Sequence, residues 1–262
     1  MPDKSIPAFL LAVCLTGTAA RAETAYALDS NVLLVKFDTN TPFFIESSKA
    51  IRGLLPGEHM LGLDFRPANG QLYGLGSTGR IYTINLETAA ATAVSPAPFA
   101  RLEGTAFGFD FNPTVDRIRI VSNTGQNLRV HPDTGALVAA DGRLNQKAEF
   151  GAPSIVGAAY TNSVAGATST TLYGIDSERR VLVTQIPPND GTLNDVGVMN
   201  IDLADVAGFD ISPRTGIAYV VARARSVVAS GIYQVDLATG ASSQIGWIEG
   251  NDQISGIAIP TR

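Results

Sequence analysis

Short hydrophobic segments recur along the chain at a nearly constant interval, and a glycine stands at the head of each repeat. The segments read GLDF, GFDF, GAAY, GFDI and GIAI, and their glycines, about 46 to 51 residues apart, are Gly62, Gly108, Gly157, Gly208 and Gly256. A period of this length is typical of blade-type β repeats and not of helical hairpin repeats. The pattern therefore predicts a repeated sheet architecture.

Each repeat contains further short runs of β-branched and aromatic residues bounded by turn residues. After Gly108 these runs are RIRIVS at residues 117–122, NLRV at 127–130 and ALVAA at 136–140, with the turn HPDTG before the last. Such runs are typical of β-strands. Together with the glycine segment they make four strands per repeat, which is the number in a propeller blade.

The two ends of the chain complement each other. The last glycine segment, ISGIAIP at residues 254–260, has no further strands after it, and the N-terminal region supplies AYAL, VLLVKF and FFIE (residues 43–46) with no glycine strand before them. Pairing the two ends completes one blade and removes exposed sheet edges. The sequence therefore predicts an all-β fold: a five-bladed β-propeller with four-stranded blades, closed by pairing the C-terminal strand with the N-terminal strands. One domain over residues 23–262 suffices.

The first 22 residues have the features of a secretory signal peptide. Lys4 precedes an apolar stretch over residues 6–15, and Ala20-Arg21-Ala22 forms an A-x-A cleavage site. About ten apolar residues are too few to span a bilayer, which needs roughly 20. We therefore predict export to the periplasm or the extracellular space, a mature chain that begins at Glu23, and no membrane-spanning segment.

Scarce cysteine and histidine limit the chemistry that the chain can perform. Cys14 is the single cysteine and lies in the predicted signal peptide, so the mature chain would have no disulfide, thiolate metal site or cysteine nucleophile. A histidine metal cluster or a Ser-His-Asp triad would have to use His59 or His131, which both lie in turn sequences. The net charge of −5 repels nucleic acid phosphates. We expect no catalytic residue set, no nucleic-acid partner and a monomer.

Three repeats carry an aspartate two residues after the glycine. Asp64, Asp110 and Asp210 share this register on the strand nearest the predicted channel, and Ala159 and Ala258 take the place in the other two repeats. One interpretation is a carboxylate cluster that binds a hard cation such as calcium or divides acid and base roles, as in glycoside hydrolysis. The other is that each carboxylate accepts backbone N–H bonds from a neighbouring blade or from its own turn. The Pro-containing turn that follows each aspartate favours the structural role. No other cofactor is predicted.

The repeat after Gly108 places several cations on one pair of strands. Arg117 and Arg119 share a strand face by the period of two, and the turn NTGQ returns a strand that bears Asn127 and Arg129. If the strands pair as a hairpin, the guanidinium groups crowd one face and need neutralising. One interpretation is internal ion pairing with Asp110, Asp116 or Glu103. The other is a site for a carboxylate or phosphate ligand formed by Arg117, Arg119, Asn123, Asn127 and Arg129.

Three stretches of the chain carry a resemblance to a known family. They are GFDFNPTVDRIRIVSNTGQNLRVHPDTG at residues 108–135, AYTNSVAGATSTTLYGID at 159–176 and VTQIPPNDGTL at 183–193. These stretches resemble the bacterial family called domain of unknown function 4394, and the resemblance runs over nearly all of the predicted mature chain. It implies a secreted or surface propeller-like domain without an assigned activity, cofactor or catalytic residue.

The sequence favours binding over catalysis. A ring of blades presents loops at both ends, and one fold hosts many unrelated functions. We expect an exported binding or scaffold domain for an unidentified small-molecule, glycan or protein ligand. Two alternatives stay open: a hydrolase that acts on a sugar or lactone at one channel mouth with Asp64, Asp110 and Asp210, and a structural envelope protein.

Overall fold

The computed structural model of the protein describes residues 22–30, 32–225, 227, 229–250 and 253–261. Its strands form five four-stranded antiparallel sheets that follow one another around a ring, which is a five-bladed β-propeller. The predicted signal peptide, with Lys4 and Cys14, falls on residues 1–22, and all of these except Ala22 lie outside the described residues.

The blades follow the chain order. Blade 1 contains β1 (Thr24–Asp29), β2 (Leu33–Asp38) and β3 (Ile45–Ala50). Blade 2 contains β4 (Met60–Phe65), β5 (Leu72–Gly76), β6 (Arg80–Ile84) and β7 (Ala91–Ala93), and blade 3 contains β8 (Phe107–Asn112), β9 (Arg117–Ser122), β10 (Asn127–Val130) and β11 (Leu137–Ala140). Blade 4 contains β12 (Ile155–Tyr160), β13 (Leu172–Asp176), β14 (Val181–Gln185) and β15 (Leu193–Val198). Blade 5 contains β16 (Leu203–Ile211), β17 (Ala218–Ala224), β18 (Ser230–Val235) and β19 (Ser242–Trp247), and β20 (Ile254–Ala258) returns to blade 1.

The ring closes through the two ends of the chain, as the sequence predicts. Strand β20 pairs with β1 in antiparallel register, with Tyr26 opposite Ala258 and Leu28 opposite Gly256. The sheet order β20-β1-β2-β3 makes β20 the innermost strand of blade 1, in the place that β4, β8, β12 and β16 hold in the other blades. The predicted closure is confirmed.

The repeated glycines lie where neighbouring inner strands approach most closely. A Cβ atom on Gly62 would lie 2.8 Å from the Cβ of Phe109 in blade 3, and one on Gly108 would lie 2.6 Å from the Cβ of Ala158 in blade 4. Real Cβ atoms do not come this close, so any larger residue would push the inner strands apart. The glycine period in the sequence therefore reports the narrow centre of the ring.

The hydrophobic core lies between adjacent blades. At the interface of blades 2 and 3, the rings of Tyr73 and Phe111 meet edge to face with centroids 5.1 Å apart, and Leu75 and Ile120 belong to the same buried cluster. Burial of each such side chain contributes about 1.5 to 3 kcal/mol. Each blade thus depends on its neighbours for much of its stability.

One predicted strand begins later than the sequence indicates. Strand β3 starts at Ile45, whereas Phe43 and Phe44 lie in the preceding turn with 56% and 70% of their surface exposed. The amide of Phe44 donates to the carbonyl of Thr41 in that turn, and Pro42 has no N–H for a sheet ladder. The prediction of a strand over residues 43–46 is therefore wrong at its start.

Helical structure is limited to one short turn among the described residues, the 3₁₀ segment Ala148–Phe150. Within those residues the structure contains no helix with the length and apolar character that a bilayer crossing requires.

Candidate functional site

A ring of backbone amides surrounds the axis, three residues beyond each repeated glycine. One such N–H comes from each blade, and all five donate to the carboxylates of three aspartates: the donors are Phe65, Phe111, Tyr160, Ile211 and Ile259. The acceptors are Asp64, Asp110 and Asp210. The structure therefore brings the three predicted channel carboxylates together and shows what each one contacts.

Each aspartate accepts a hydrogen bond from the inner strand of the next blade. The Oδ2 of Asp64 accepts from Phe111 N at 2.8 Å, and the Oδ2 of Asp210 accepts from Ile259 N at 2.6 Å. Asp110 accepts from Tyr160 N at 3.1 Å through Oδ1. These bonds join blade 2 to blade 3, blade 3 to blade 4, and blade 5 to blade 1.

The two alanines in this register explain the remaining two bonds. Ala159 and Ala258 offer no acceptor to the blades that follow them, which are blades 5 and 2. In those two blades the aspartate accepts a hydrogen bond from the backbone amide of the residue that follows it in the chain. Asp210 Oδ1 accepts from Ile211 N at 2.6 Å, and Asp64 Oδ1 accepts from Phe65 N at 2.7 Å. Three carboxylates thus satisfy five buried donors with five of their six oxygens.

The three carboxyl groups are buried and crowded. Each can place an oxygen within 4.8 Å of the other two, and the residues are 4%, 1% and 3% exposed in chain order. Burial, followed by the charge of Asp210, raises the pKa of Asp64 well above its usual range. Burial and the charges of both neighbours do the same for Asp110, and burial raises the pKa of Asp210 to about 6.

Carboxylate oxygens are the ligands that hard cations prefer, so these aspartates are the residues that could hold calcium by donor type. The backbone N–H bonds compete for the same oxygens. The axial cavity beside the inner-strand glycines measures about 10 Å³, close to the least that one water molecule needs. A sugar or lactone does not fit between the inner strands there.

The arginine-rich strands pair as the predicted hairpin. Arg119 on β9 lies directly opposite Arg129 on β10, and both guanidinium groups contact the carboxylate of Asp141. Arg119 Nη1 lies 2.6 Å from Asp141 Oδ2, and Arg129 contacts both oxygens of Asp141 at 2.7 and 2.9 Å. The predicted ion-pair partners are wrong, because Asp141 follows β11 and its loop folds back over the hairpin.

The remaining contacts of Arg119 are also internal. Its side chain is 2% exposed, and it donates to Asn127 Oδ1 at 2.6 Å and to Asn189 Oδ1 of blade 4 at 2.8 Å. Arg117 lies apart and donates to the backbone carbonyls of Val115 and Asp116. The five predicted anion-site residues therefore do not converge on one open surface. Of the predicted acidic partners, Asp116 pairs with Arg66 and Glu103 with Arg143.

A pocket of about 240 Å³ lies beside the axis on the face of the ring where the inner strands begin. We call it the entry-face pocket. Three blades contribute to its wall, which is lined by Asp29, Ser30, Val32, His59, Met60, Leu61, Thr105, Ala106, Phe107, Gln253 and Ser255. About half of these residues are apolar and half carry hydrogen-bonding groups, so the pocket offers both kinds of contact to a ligand.

The wall of this pocket contains a backbone conformation that is unfavourable for its residue type. Val32 has φ of 62°, in the left-handed region, where a β-branched side chain is an outlier. The equivalent turn positions of blades 2 and 3 hold Gly79 and Gly125. In each of the three turns, the backbone amide at this position donates to the backbone carbonyl of the residue three before it. Strain of this kind costs about 1 to 2 kcal/mol and clusters at functional sites.

Asn123, predicted as part of an anion site, instead supports the entry-face pocket. Its Oδ1 accepts from the amides of Thr105 at 3.0 Å and Ala106 at 3.3 Å, and its Nδ2 donates to Thr105 Oγ1. Asn123 therefore fixes the stretch of blade 3 that lines the pocket without lining it itself.

The sequence analysis missed the entry-face pocket, although one signal was present. Valine at position 32 stands in a turn whose counterparts in blades 2 and 3 place glycine at the same point. Glycine is the usual residue for a left-handed turn position, so a β-branched residue there is a departure that sequence reasoning could have noticed. The other lining residues carry no motif, because they come from three distant parts of the chain.

Comparison with known families identifies the chain. The model of the family described as "Domain of unknown function (DUF4394)" matches residues 33–258. The protein belongs to this family. A search of curated proteins finds no match. The family description assigns no activity, so it leaves the function of the pocket open.

Solved structures share the architecture at low sequence identity. A chain from a nidogen/laminin complex is 14% identical with a TM-score of 0.53, and the alignment covers 91% of this chain and 98% of that one. A structural genomics protein of unknown function from Bacteroides thetaiotaomicron is 13% identical with a TM-score of 0.51, covering 90% of this chain and 62% of that one. Identities this low show the fold alone.

Proposed function

We propose that the protein is an exported binding domain whose ligand occupies the entry-face pocket. The observation that carries this proposal is the wall of the pocket, where three blades contribute both apolar and hydrogen-bonding groups and Val32 is held in a left-handed conformation. The turn conformation itself does not require valine, since glycine serves at the equivalent positions of blades 2 and 3, although the Val32 side chain also packs against the core between blades 1 and 2. A strained residue that forms a pocket wall is better explained by binding than by folding.

The hydrolase hypothesis has less support from the geometry. It assigns the chemistry to Asp64, Asp110 and Asp210, which are buried and which already accept five backbone N–H bonds. The axial cavity at the repeated glycines is about 10 Å³, so a substrate could not reach them along the axis from that side. The entry-face pocket is many times larger and lies at the opposite end of the inner strands.

Export is supported by the N-terminal sequence. Lys4, the apolar stretch that follows it and the Ala20-Arg21-Ala22 site form a signal-peptide pattern. Ala22 is exposed and Glu23 is buried, so the proposed cleavage bond lies at the boundary between exposed and buried chain. Mass spectrometry of the protein from its native host tests this step by identifying the first residue.

Binding at the pocket can be tested with the methionines as reporters. The predicted mature chain has two of them, Met60 in the pocket wall and Met199 in the core between blades 4 and 5. With ¹³C-methyl methionine, a small-molecule library should contain compounds that shift the Met60 signal and leave Met199 unchanged. Val32→Gly should raise the dissociation constants of those compounds at least about fivefold, because one wall of the pocket is removed.

A matched variant controls for the change in backbone strain. Arg180 also has a left-handed conformation, with φ of 57°, directly before the returning strand of the slightly longer turn in blade 4, and it does not line the pocket. Arg180→Gly should relieve similar strain and leave binding unchanged. Arg180→Gly should alter the free energy of unfolding by less than about 1 kcal/mol, because relief of strain offsets the added freedom of the unfolded chain. Val32→Gly also loses the packing of a half-buried side chain against the core of blades 1 and 2, and should cost about 1 kcal/mol more. A library in which no compound shifts Met60 selectively, or equal binding by the wild type and Val32→Gly, would overturn the proposal.

A further inference from the structure

We infer that a second pocket, on the face of the ring opposite the entry-face pocket, binds a small carboxylate with an apolar body, and that the guanidinium of Arg214 binds the carboxylate group. This pocket measures about 290 Å³ and lies where the inner strands end, and we call it the exit-face pocket. Blade 1 contributes most of its wall, and blades 2 and 5 contribute Leu86 and Arg214. The inference goes beyond the proposed function, because it concerns a separate site.

The lining of the exit-face pocket is positively charged although the chain is acidic. Lys36 and Arg214 are cations and Glu23 is the one anion among the described lining residues, whereas the whole chain has a net charge of −5. Lys36 is already paired, since its Nζ lies 2.6 Å from Glu46 Oε2. The carboxylate of Glu23 accepts hydrogen bonds from three hydroxyl groups of blade 5. Arg214 is therefore the charge that remains for a ligand.

The guanidinium of Arg214 has donors to offer. Its charge contact among the described residues is with Glu23, where Nε lies 3.6 Å from Oε1, longer than a hydrogen bond, and 44% of the side chain is exposed. A guanidinium presents five N–H donors in a planar fork that matches the two oxygens of a carboxylate. A carboxylate ligand would accept bonds from donors that Glu23 does not reach.

The turn after β16 does not itself require an arginine. The equivalent position in the turns of blades 2 and 3 holds Ala68 and Thr114. Ser212 Oγ accepts the backbone amides of Arg214 at 3.2 Å and Thr215 at 3.1 Å, so the conformation of the turn is fixed by groups other than the arginine side chain. Substitution of this side chain should therefore leave the fold intact.

The apolar part of the wall suits a compact hydrocarbon group. Tyr26, Leu86 and Ile259 lie in the wall, and the volume of the pocket limits the ligand to a small molecule. A carboxylate, with one negative charge, is repelled less by the neighbouring Glu23 than a doubly charged phosphate. The three axial aspartates are not among the lining residues, so the site is one for binding and not for the proposed hydrolysis.

Processing at the proposed signal-peptide site would add a second positive charge to the wall. Cleavage after Ala22 converts the backbone nitrogen of Glu23 into an α-ammonium group, which is mostly charged at neutral pH. This nitrogen donates to Thr39 Oγ1 at 3.2 Å, and Glu23 lines the pocket, so the new charge would lie at the wall. A chain that begins at Glu23 should bind carboxylates more tightly than one that retains Ala22.

Probes with one shared skeleton test the ligand class. They are benzoate, benzyl alcohol and benzylamine, with inorganic phosphate as a bare anion. In a chain that begins at Glu23, ¹³C-methyl labelling of isoleucine and methionine reports on both pockets, through Ile259 and Met60. Benzoate should shift the Ile259 signal and leave Met60 unchanged, with a Kd at least about tenfold below that of benzyl alcohol. Benzylamine and phosphate should bind more weakly than benzoate, and high salt should weaken benzoate binding.

Two substitutions at Arg214 assign the contact. Arg214→Gln should raise the Kd of benzoate to that of benzyl alcohol, and Arg214→Lys, which keeps the charge and loses the planar fork, should fall between the two. Arg101→Gln is the control, because it removes an exposed arginine that does not line the pocket, and it should have no effect. The Tm of each variant verifies that it is folded.

Three results would overturn the inference: equal affinities for benzoate and benzyl alcohol, no shift of Ile259 with any probe, or normal benzoate binding by Arg214→Gln. A benzoate-induced shift of Met60 in place of Ile259 would also overturn it, because the ligand would then occupy the entry-face pocket. Equal affinities of the chains that begin at Ala22 and Glu23 would remove the α-ammonium group from the site. The proposed function is decided separately, by the compound library and Val32→Gly.

Discussion

The Oδ2 of Asp64 in blade 2 lies 2.8 Å from the backbone nitrogen of Phe111 in blade 3. This bond joins two inner strands that share no sheet ladder, so the side chain takes the place of the hydrogen bond that a neighbouring strand would supply. A buried amide left without an acceptor costs about 1 to 3 kcal/mol. The aspartates therefore hold the centre of the ring together by satisfying donors that the propeller geometry leaves unpaired.

The first prediction is that the stability lost on mutation depends on how many backbone N–H bonds each aspartate accepts. Asp64→Asn should lower the free energy of unfolding by about 1 to 3 kcal/mol, because one of its two oxygens becomes an N–H donor that faces another donor. Asp110→Asn should cost little, since its single acceptor bond to Tyr160 can be kept and a buried charge is removed. Urea unfolding at pH 7 measures both. Equal losses for the two variants would contradict this division.

The second prediction concerns pH. The folded-state pKa of Asp210 is about 6, above its unfolded value near 3.8, so the folded protein binds the proton more tightly. The contribution of this residue to stability is therefore fully present below about pH 4 and is lost as the pH rises to about 6, a change of about 3 kcal/mol. Asp210→Asn should remove that change. The quantity to measure is the difference in unfolding free energy between wild type and variant from pH 4 to 7, and a difference independent of pH would reject the prediction.

The third prediction addresses the cation interpretation of the same cluster. Because five of the six carboxylate oxygens accept backbone N–H bonds, we expect added calcium to leave the Tm unchanged. Magnesium at equal ionic strength controls for salt effects. A calcium-dependent rise in Tm that disappears in Asp110→Asn would show that the cluster binds the cation.

The fourth prediction concerns the arginine-rich hairpin. Arg119→Gln should cost about 3 kcal/mol, because it leaves the buried Asp141 with one cation and removes bonds that join blade 3 to blade 4. Arg117→Gln, whose contacts are to nearby backbone carbonyls, should change the stability by less than about 0.5 kcal/mol. Melting curves with and without citrate distinguish internal ion pairing from an anion-binding site. A citrate-induced rise in Tm that is lost in Arg119→Gln would favour an anion site.

The features that the sequence predicts are those that repeat with the blade. The period of Gly62 and its counterparts reflects a steric limit at four of the five inner strands, with Gly256 the exception, so it survives as a pattern and yields the fold, the number of blades and the closure. The pairing of Arg119 with Asp141 is different, because it depends on the path of one loop after β11. The entry-face pocket likewise depends on where three separate segments meet, and Val32 is the one residue whose departure from the repeat marks it.

Glu23 connects the predicted processing site to the closure of the ring. Its carboxylate accepts hydrogen bonds from three hydroxyl groups of blade 5: Ser212 at 2.6 Å, Thr215 at 2.9 Å and Tyr219 at 3.1 Å. Its backbone exchanges hydrogen bonds with Thr39 of blade 1. The residue directly after the A-x-A site therefore links the composite blade to its neighbour.

The fifth prediction uses this link to test processing and closure together. A chain that begins at Thr24 should be about 3 kcal/mol less stable than one that begins at Glu23, because three charge-assisted bonds across the closing interface are lost. Glu23→Gln in the longer chain should cost less, since an amide oxygen can keep part of the set. Guanidinium unfolding ranks the three proteins. Because cleavage after Ala22 preserves the link and cleavage one residue later destroys it, the exported protein should begin at Glu23. Equal stability of the two chain lengths, or a mature terminus beyond Glu23, would show that ring closure does not depend on this residue.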